Sequence, residues 1–132
     1  MSNGARALFK FAGLAHGAPM EARLKSGIWV QAQVRMCDRH AIPVAIRHRG
    51  DPDAGGVVLK LARGRDRCLV LRRVSDLDGS MNWMAISDAT ELSEIDAEDY
   101  LAREIKRDRD LWVLEIEDDR ERYQLDGRIL AR

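Results

Sequence analysis

Residues 43–74, PVAIRHRGDPDAGGVVLKLARGRDRCLVLRRV, hold three apolar runs separated by two turn-forming breaks, a spacing that commits this part of the chain to strands. In residues 43–49, Val44, Ile46 and His48 alternate with Ala45, Arg47 and Arg49, the period of two of a half-buried strand. Pro43 has no N–H to give to a ladder and can only open such a strand. The break at 50–56 holds Asp51, Pro52, Asp53 and three glycines, residues that fix φ, bond their own backbone or reach positive φ. A second strand follows at 57–62, and after the turn at 63–67 the run from Cys68 to Val74 is apolar on both sides at first. That third run is expected to be the central, most buried strand of a meander.

The flanking segments change period. Val30, Val34, Cys37 and Ala41 recur at helical spacing with Trp29, Gln33, Met36 and His40 beside them, which predicts a helix over roughly 23–41, capped by Ser26 and stopped by Pro43. A turn cluster at 75–80 leads to a fourth strand around Trp83 and Ala85. Ala97, Leu101 and Ile105, with Tyr100 alongside, predict a second helix from Ser93 to Arg107. Its acids crowd the start and its bases the end, as the macrodipole favours. Trp112, Leu114 and Ile116 share one face of a fifth strand; Tyr123 and Leu125 suggest a short returning one, and a polar tail follows Gly127. The expected fold is therefore α+β, of order α-β-β-β-β-α-β(-β). Its sheet is mainly antiparallel, a four-strand meander plus one or two C-terminal strands, with both helices on one face. Trp29, Trp83 and Trp112 are expected to anchor the core between them.

The 132 residues are enough for one domain with a core that needs no disulfide or metal. Residues 1–19 contain no acid and are rich in Ala and Gly, so they read as a poorly ordered appendage to a single domain over 20–132. Lys10 and His16 interrupt the apolar core that a signal peptide would need, and no run is long enough to span a bilayer. Twenty-two basic and 22 acidic residues cancel, so attraction to a polyanion must come from a local patch. Cys37 and Cys68 fall inside predicted elements and read as reduced thiols, which points to the cytoplasm.

Three blocks, RLKSGIWVQAQVR at 23–35, RGDPDAGGVVLKL at 49–61 and DLWVLEIEDDR at 110–120, resemble the matching blocks of a small bacterial family catalogued as domain of unknown function 1491. The resemblance spans about Arg23 to Gly127. It implies a small bacterial protein without a known cofactor and assigns no activity. Nor does the sequence hold a phosphate loop: no lysine follows Gly55-Gly56 at the spacing such a loop requires.

Successive turns of a meander leave a sheet at opposite ends, which would separate the charges. One end would carry Asp51, Asp53, Asp76 and Asp78; the other would carry Arg63, Arg65 and Arg67. Arg47, Arg49 and Lys60 would share one exposed sheet face with Ala45, Val58 and Ala62. Several guanidinium and ammonium groups on one surface can neutralise a polyanion and release its counterions. Aromatic residues for stacking bases are few. The expected function is a non-enzymatic interaction module, without cofactor, small-molecule substrate or membrane. Arg47, Arg49, Lys60, Arg63, Arg65 and Arg67 would meet an acidic protein or nucleic acid. The alternative is a metal-assisted hydrolase built on the aspartates, although Asp-x-Asp in turns is more often turn chemistry than ligation. A Cys37/His40/His48/Cys68 zinc site matches no standard finger spacing.

Overall fold

The computed structural model describes residues 24–75, 78–87 and 91–130; the appendage expected at 1–19, and Asp76, lie outside them. Among the described residues the elements run α1 (Ser26–Arg39), β1 (Val44–His48), β2 (Val57–Ala62), β3 (Cys68–Ser75), β4 (Met81–Ala85), α2 (Glu94–Arg107), β5 (Trp112–Glu117) and β6 (Ile129–Leu130). The predicted order of elements is present, and the result is an α+β fold with two helices and a six-strand sheet.

Of the stripe expected of it, α1 buries Val30 and Cys37, with Trp29 beside them, while Val34 is half-buried and Ala41 lies exposed beyond its end. Its end differs from the prediction, because Ala41 takes a left-handed φ of 58°. There the Ile42 N–H reaches back to the Cys37 carbonyl at 2.8 Å, a Schellman-type closure immediately before Pro43. The start also differs: Lys25 occupies the cap position, and Ser26 is the first helical residue rather than the cap. The orphan N–H groups of Ser26 and Gly27 instead donate to the carbonyls of Asp53 (3.4 Å) and Pro52 (2.8 Å), so the loop at 50–56 caps the helix. That loop lies hard against the turn before β5. A Cβ at Gly50 or Gly55 would stand 2.1 Å or 2.3 Å from the Asp110 carbonyl oxygen, an approach only glycine allows. α2 starts one residue later than expected, and Ser93 is its cap, its Oγ accepting from the Asp96 N–H at 3.1 Å.

The sheet corrects the prediction in three respects. Its order is β1-β5-β2-β3-β4-β6, so only β2, β3 and β4 form a meander. β1 does not touch β2, because β5 lies between them, antiparallel to β1 and parallel to β2. β4 and β6 are parallel as well, and the sheet is mixed rather than mainly antiparallel. The short last strand falls at Ile129–Leu130, where a polar tail was expected, and not at Tyr123–Leu125.

Most consequential is the placing of the helices, which cover opposite faces rather than one. Val57, Leu59 and Leu61 pack into the core with α1, Trp83, Trp112 and Leu114. The alternate residues Val58, Val70 and Val113 pack with Ala97 and Leu101 of α2. A strand covered on both faces must be apolar on both, and β2 is buried along its first five residues. β2, not β3, is thus the most buried strand. All three tryptophans sit in the α1 core as expected. Their ring N–H groups donate to Asp126 Oδ2 (Trp29, 2.9 Å), the Asp126 carbonyl (Trp83, 2.7 Å) and the Asp51 carbonyl (Trp112, 2.7 Å), so no indole donor is left unpaired in the core.

Candidate functional site

The residues expected to form one exposed basic face divide into three groups. Lys60 has no exposed surface. It sits mid-strand on β2 in register with Glu115 of β5, beneath α2. Its ammonium donates to Glu94 Oε2 and Glu98 Oε2, both at 2.6 Å, with Glu115 Oε2 at 3.4 Å. Glu94 and Glu98 are four apart on α2 and therefore on one side of it. Arg47 lies where the β1–β5 register shifts between Ile46 and His48, and its guanidinium takes both oxygens of Glu98 (2.6 and 3.1 Å) and one of Glu115. This part of the basic face is thus an ion cluster of two cations and three carboxylates, buried at Lys60 and open to solvent at Arg47 and Glu94. Its location follows from α2 lying on the face that was expected to be open.

The cluster holds its charges firmly. Hydrogen bonding from Arg47, joined by Lys60, overcomes the effect of burial and lowers the Glu98 carboxyl to about 2. Lys60 lowers Glu94 in the same way. Burial favours the neutral form of Lys60, yet its bonds to Glu94 and Glu98 outweigh that and hold the ammonium above the usual lysine value. A general base or a nucleophilic amine needs a pKa near the working pH. These groups are driven away from it, and the cluster is built to tie α2 to the sheet.

Arg49 lies over the Trp112 ring, 5.8 Å from its centroid, away from the cluster. The other three arginines sit at the opposite end of the sheet, in the β2–β3 hairpin. The turn is closed by Arg63 N–H to the Arg67 carbonyl (2.9 Å) and Arg67 N–H to the Gly64 carbonyl (3.1 Å). Asp66, at φ 53°, accepts from the Glu94 N–H at 3.0 Å, and Arg67 bonds Glu91 at 3.1 Å. The hairpin is thereby stapled to the start of α2. Arg65 is exposed with no ion pair among the described residues, and Arg63 Nε is buried without a hydrogen-bond partner.

Of the four candidate aspartates, the three among the described residues, Asp51, Asp53 and Asp78, do not converge. Asp51 Oδ2 accepts from the N–H groups of Asp53 (3.1 Å) and Ala54 (2.8 Å). Asp53 pairs with Lys25 at 3.6 Å, and Asp78 Oδ1 accepts from both the N–H and the hydroxyl of Ser80. Each shapes its own turn. Among the described residues no three or more His, Cys, Asp or Glu side chains could hold a metal ion. Cys37 and Cys68 belong to the cores on opposite faces and cannot share a zinc. Burial, helped by Asp118 and Asp38, raises the Cys37 thiol to about 11. Burial and the bond to Glu94 do the same to Cys68, again to about 11. Both are neutral thiols. No helix among the described residues is long and apolar enough to cross a membrane.

One feature escaped the sequence. After β5 the chain crosses the last turn of α1 without regular structure. Asp118, buried, accepts from the N–H groups of Arg122 (2.7 Å) and Tyr123 (3.0 Å). Tyr123 donates its hydroxyl to Gln33 Oε1 at 2.7 Å. Arg122 donates to the His40 and Ala41 carbonyls at 3.0 and 3.4 Å. Between this strap and α1 lies a cavity of about 260 Å³. Its residues come from segments some 80 positions apart, and no local pattern announces it.

The model of DUF1491, described as a protein of unknown function, matches residues 24–126. A crystal structure at 1.87 Å resolution of a DUF1491 family protein from Caulobacter crescentus CB15 superposes with a TM-score of 0.73 at 29% identity, covering 82% of this chain and 100% of that one. An NMR structure of a DUF1491 family protein from Caulobacter crescentus CB15 gives 0.70 at 29% identity, covering 82% of this chain and 97% of that one. The solution structure of protein Atu0922 from A. tumefaciens gives 0.60 at 23% identity over 72% of this chain and 86% of that one, a likeness of fold. No curated protein matches the chain.

Proposed function

The chain belongs to the DUF1491 family, and we propose that it is a non-enzymatic interaction module that engages an acidic protein partner through the arginine hairpin at 63–67. The observation that carries this reading is the state of Arg63 and Arg65. Neither Arg63 nor Arg65 has an ion pair among the described residues, and Arg65 is exposed at the tip of the turn, so the hairpin offers guanidinium donors that a carboxylate can meet. Arg47 and Lys60, two of the six residues of the basic set, are already saturated by the chain's own carboxylates. The staple to α2 holds the hairpin in place, which reduces the ordering cost of binding.

Acids interleave with these arginines: Asp66 sits in the turn, and Glu91 and Glu121 flank Arg67 at 3.1 and 4.0 Å. A continuous phosphate backbone would meet repulsion there, whereas a protein surface can match both signs. This favours an acidic protein over nucleic acid. The two buried free thiols fit a reducing compartment, the cytoplasm.

The test is a salt titration of the full chain against a fluorescent polyglutamate peptide and a single-stranded RNA. Binding to polyglutamate should weaken as salt rises. Reversing both Arg63 and Arg65 to Glu should weaken it by about tenfold, with the circular dichroism unchanged. Equal affinity of the folded variant and the wild type, or tighter binding of the RNA than of the peptide, would overturn the proposal.

A further inference from the structure

The cavity under the strap is independent of the hairpin. Met36, Cys37 and Ile42 line its apolar side, with His40 and Arg122 among its polar residues. The Cys37 thiol is neutral, raised to about 11, so it offers a soft apolar wall rather than a nucleophile. Arg122 is the fixed cation at this site. Two of its five N–H donors are spent on the carbonyls that end α1, which hold the guanidinium in place. The remainder of the fork has no acceptor among the described residues.

We propose that this cavity binds a small monocarboxylate with an apolar body, its carboxylate on Arg122 and its body against Met36, Cys37 and Ile42. Guanidinium is suited to this head group because its planar fork matches the two oxygens of a carboxylate. Size restricts the ligand. At about 260 Å³ the space falls just below the range of about 300–1,000 Å³ usual for ligand pockets, and it admits a ring or a short chain rather than a nucleotide. The charges around it permit an anion. Of the carboxylates around it, buried Asp118 has both oxygens on backbone N–H groups, Asp126 accepts from the Trp29 indole, and Asp38 is exposed.

The experiment is a titration of the ¹⁵N-labelled full chain with benzoate, and in parallel with benzyl alcohol, which has the same ring without the charge. Benzoate should give saturable shifts at the amides of 36–42 and 122–124, with a dissociation constant near about 1 mM. Arg122→Gln should weaken binding by about tenfold, and Arg122→Lys, which keeps the charge, should recover part of it. Gln124→Glu, an exposed change at the rim, should also weaken benzoate and serves if the Arg122 variants lose their dispersed spectra. No saturable shift at about 10 mM benzoate, equal binding of benzyl alcohol, or indifference to both the Arg122 and Gln124 substitutions would overturn the assignment.

Discussion

Lys60 on β2 and Glu98 on α2 are joined by a 2.6 Å contact between an ammonium with no exposed surface and a carboxylate 38 positions further along the chain. With Glu94, Glu115 and Arg47 they form the polar fastening of α2 to the sheet, set beside the small apolar core of Val58, Val70, Val113, Ala97 and Leu101.

Removing one member of such a cluster should cost more than an exposed pair contributes. Lys60→Met keeps the length of the side chain and deletes the charge, leaving Glu94, Glu98 and Glu115 to share Arg47. The expected loss is about 1.5–3 kcal/mol in urea-induced unfolding, the range for hydrogen bonds to charged groups, because Glu94 and Glu98 keep part of their surface in water. A loss below about 1 kcal/mol, the worth of a surface pair, would show that the fastening is not structural.

The same cluster sets the response to acid. Glu98 is lowered from an ordinary 4.5 to about 2 in the folded protein, and Glu94 is lowered too. A carboxyl depressed by folding stabilises the native state fully above its unfolded pKa, and that stabilisation is lost as pH falls through the folded value. Melting temperatures measured from pH 7 downward should hold until about 4.5 and then fall steeply toward 2. Glu98→Gln should begin lower at neutral pH and show a shallower acid limb. Parallel curves for the two proteins would mean that the titration belongs to other groups.

The cysteines report on the two faces separately. Cys37 lies in the core under α1 and Cys68 in the core under α2, both raised to about 11. Neither should react with a thiol reagent at pH 8 in the native state, and both should react on denaturation. Lys60→Met should expose Cys68, whose thiol bonds Glu94, well before Cys37. Equal acceleration of the two thiols would place them under one cover and contradict the separation of the cores.

Periodicity revealed the strands and helices because it records which side of an element is apolar, and Val44–His48, Val57–Ala62 and the stripe of α1 fall where the alternation placed them. It does not record which strand lies next to which. The run from Pro43 to Val74 reads as three neighbours, yet β5, drawn from the far end of the chain, separates β1 from β2. Lys60 shows the limit at a single position. Between Leu59 and Leu61 a lysine reads as the solvent side of a half-buried strand, and only the acids of α2, 34 and 38 positions away, reverse that. Ser26 misled in the same way. It resembles a helix cap, but its hydroxyl is buried between the Gly55 carbonyl and the Arg73 guanidinium. The hairpin arginines were legible because turn residues bounded them, whereas the cavity over Cys37 depends on a strap without period.

The interior position of β5 governs when this chain can fold. β1 and β2 both precede β5 in the chain, yet neither has the other as a partner: β2 can pair with β3 at once, whereas β1 and the second edge of β2 must wait for Trp112–Glu117. Until then β2 offers Val57, Leu59 and Leu61 along an open edge. The meander of β2, β3 and β4 can therefore form first, while β1 and the other edge of β2 stay unpaired until Trp112–Glu117 has been made. Pairings of such long range also slow folding. In the cell that interval is when the protein is most vulnerable to aggregation and has most need of a chaperone.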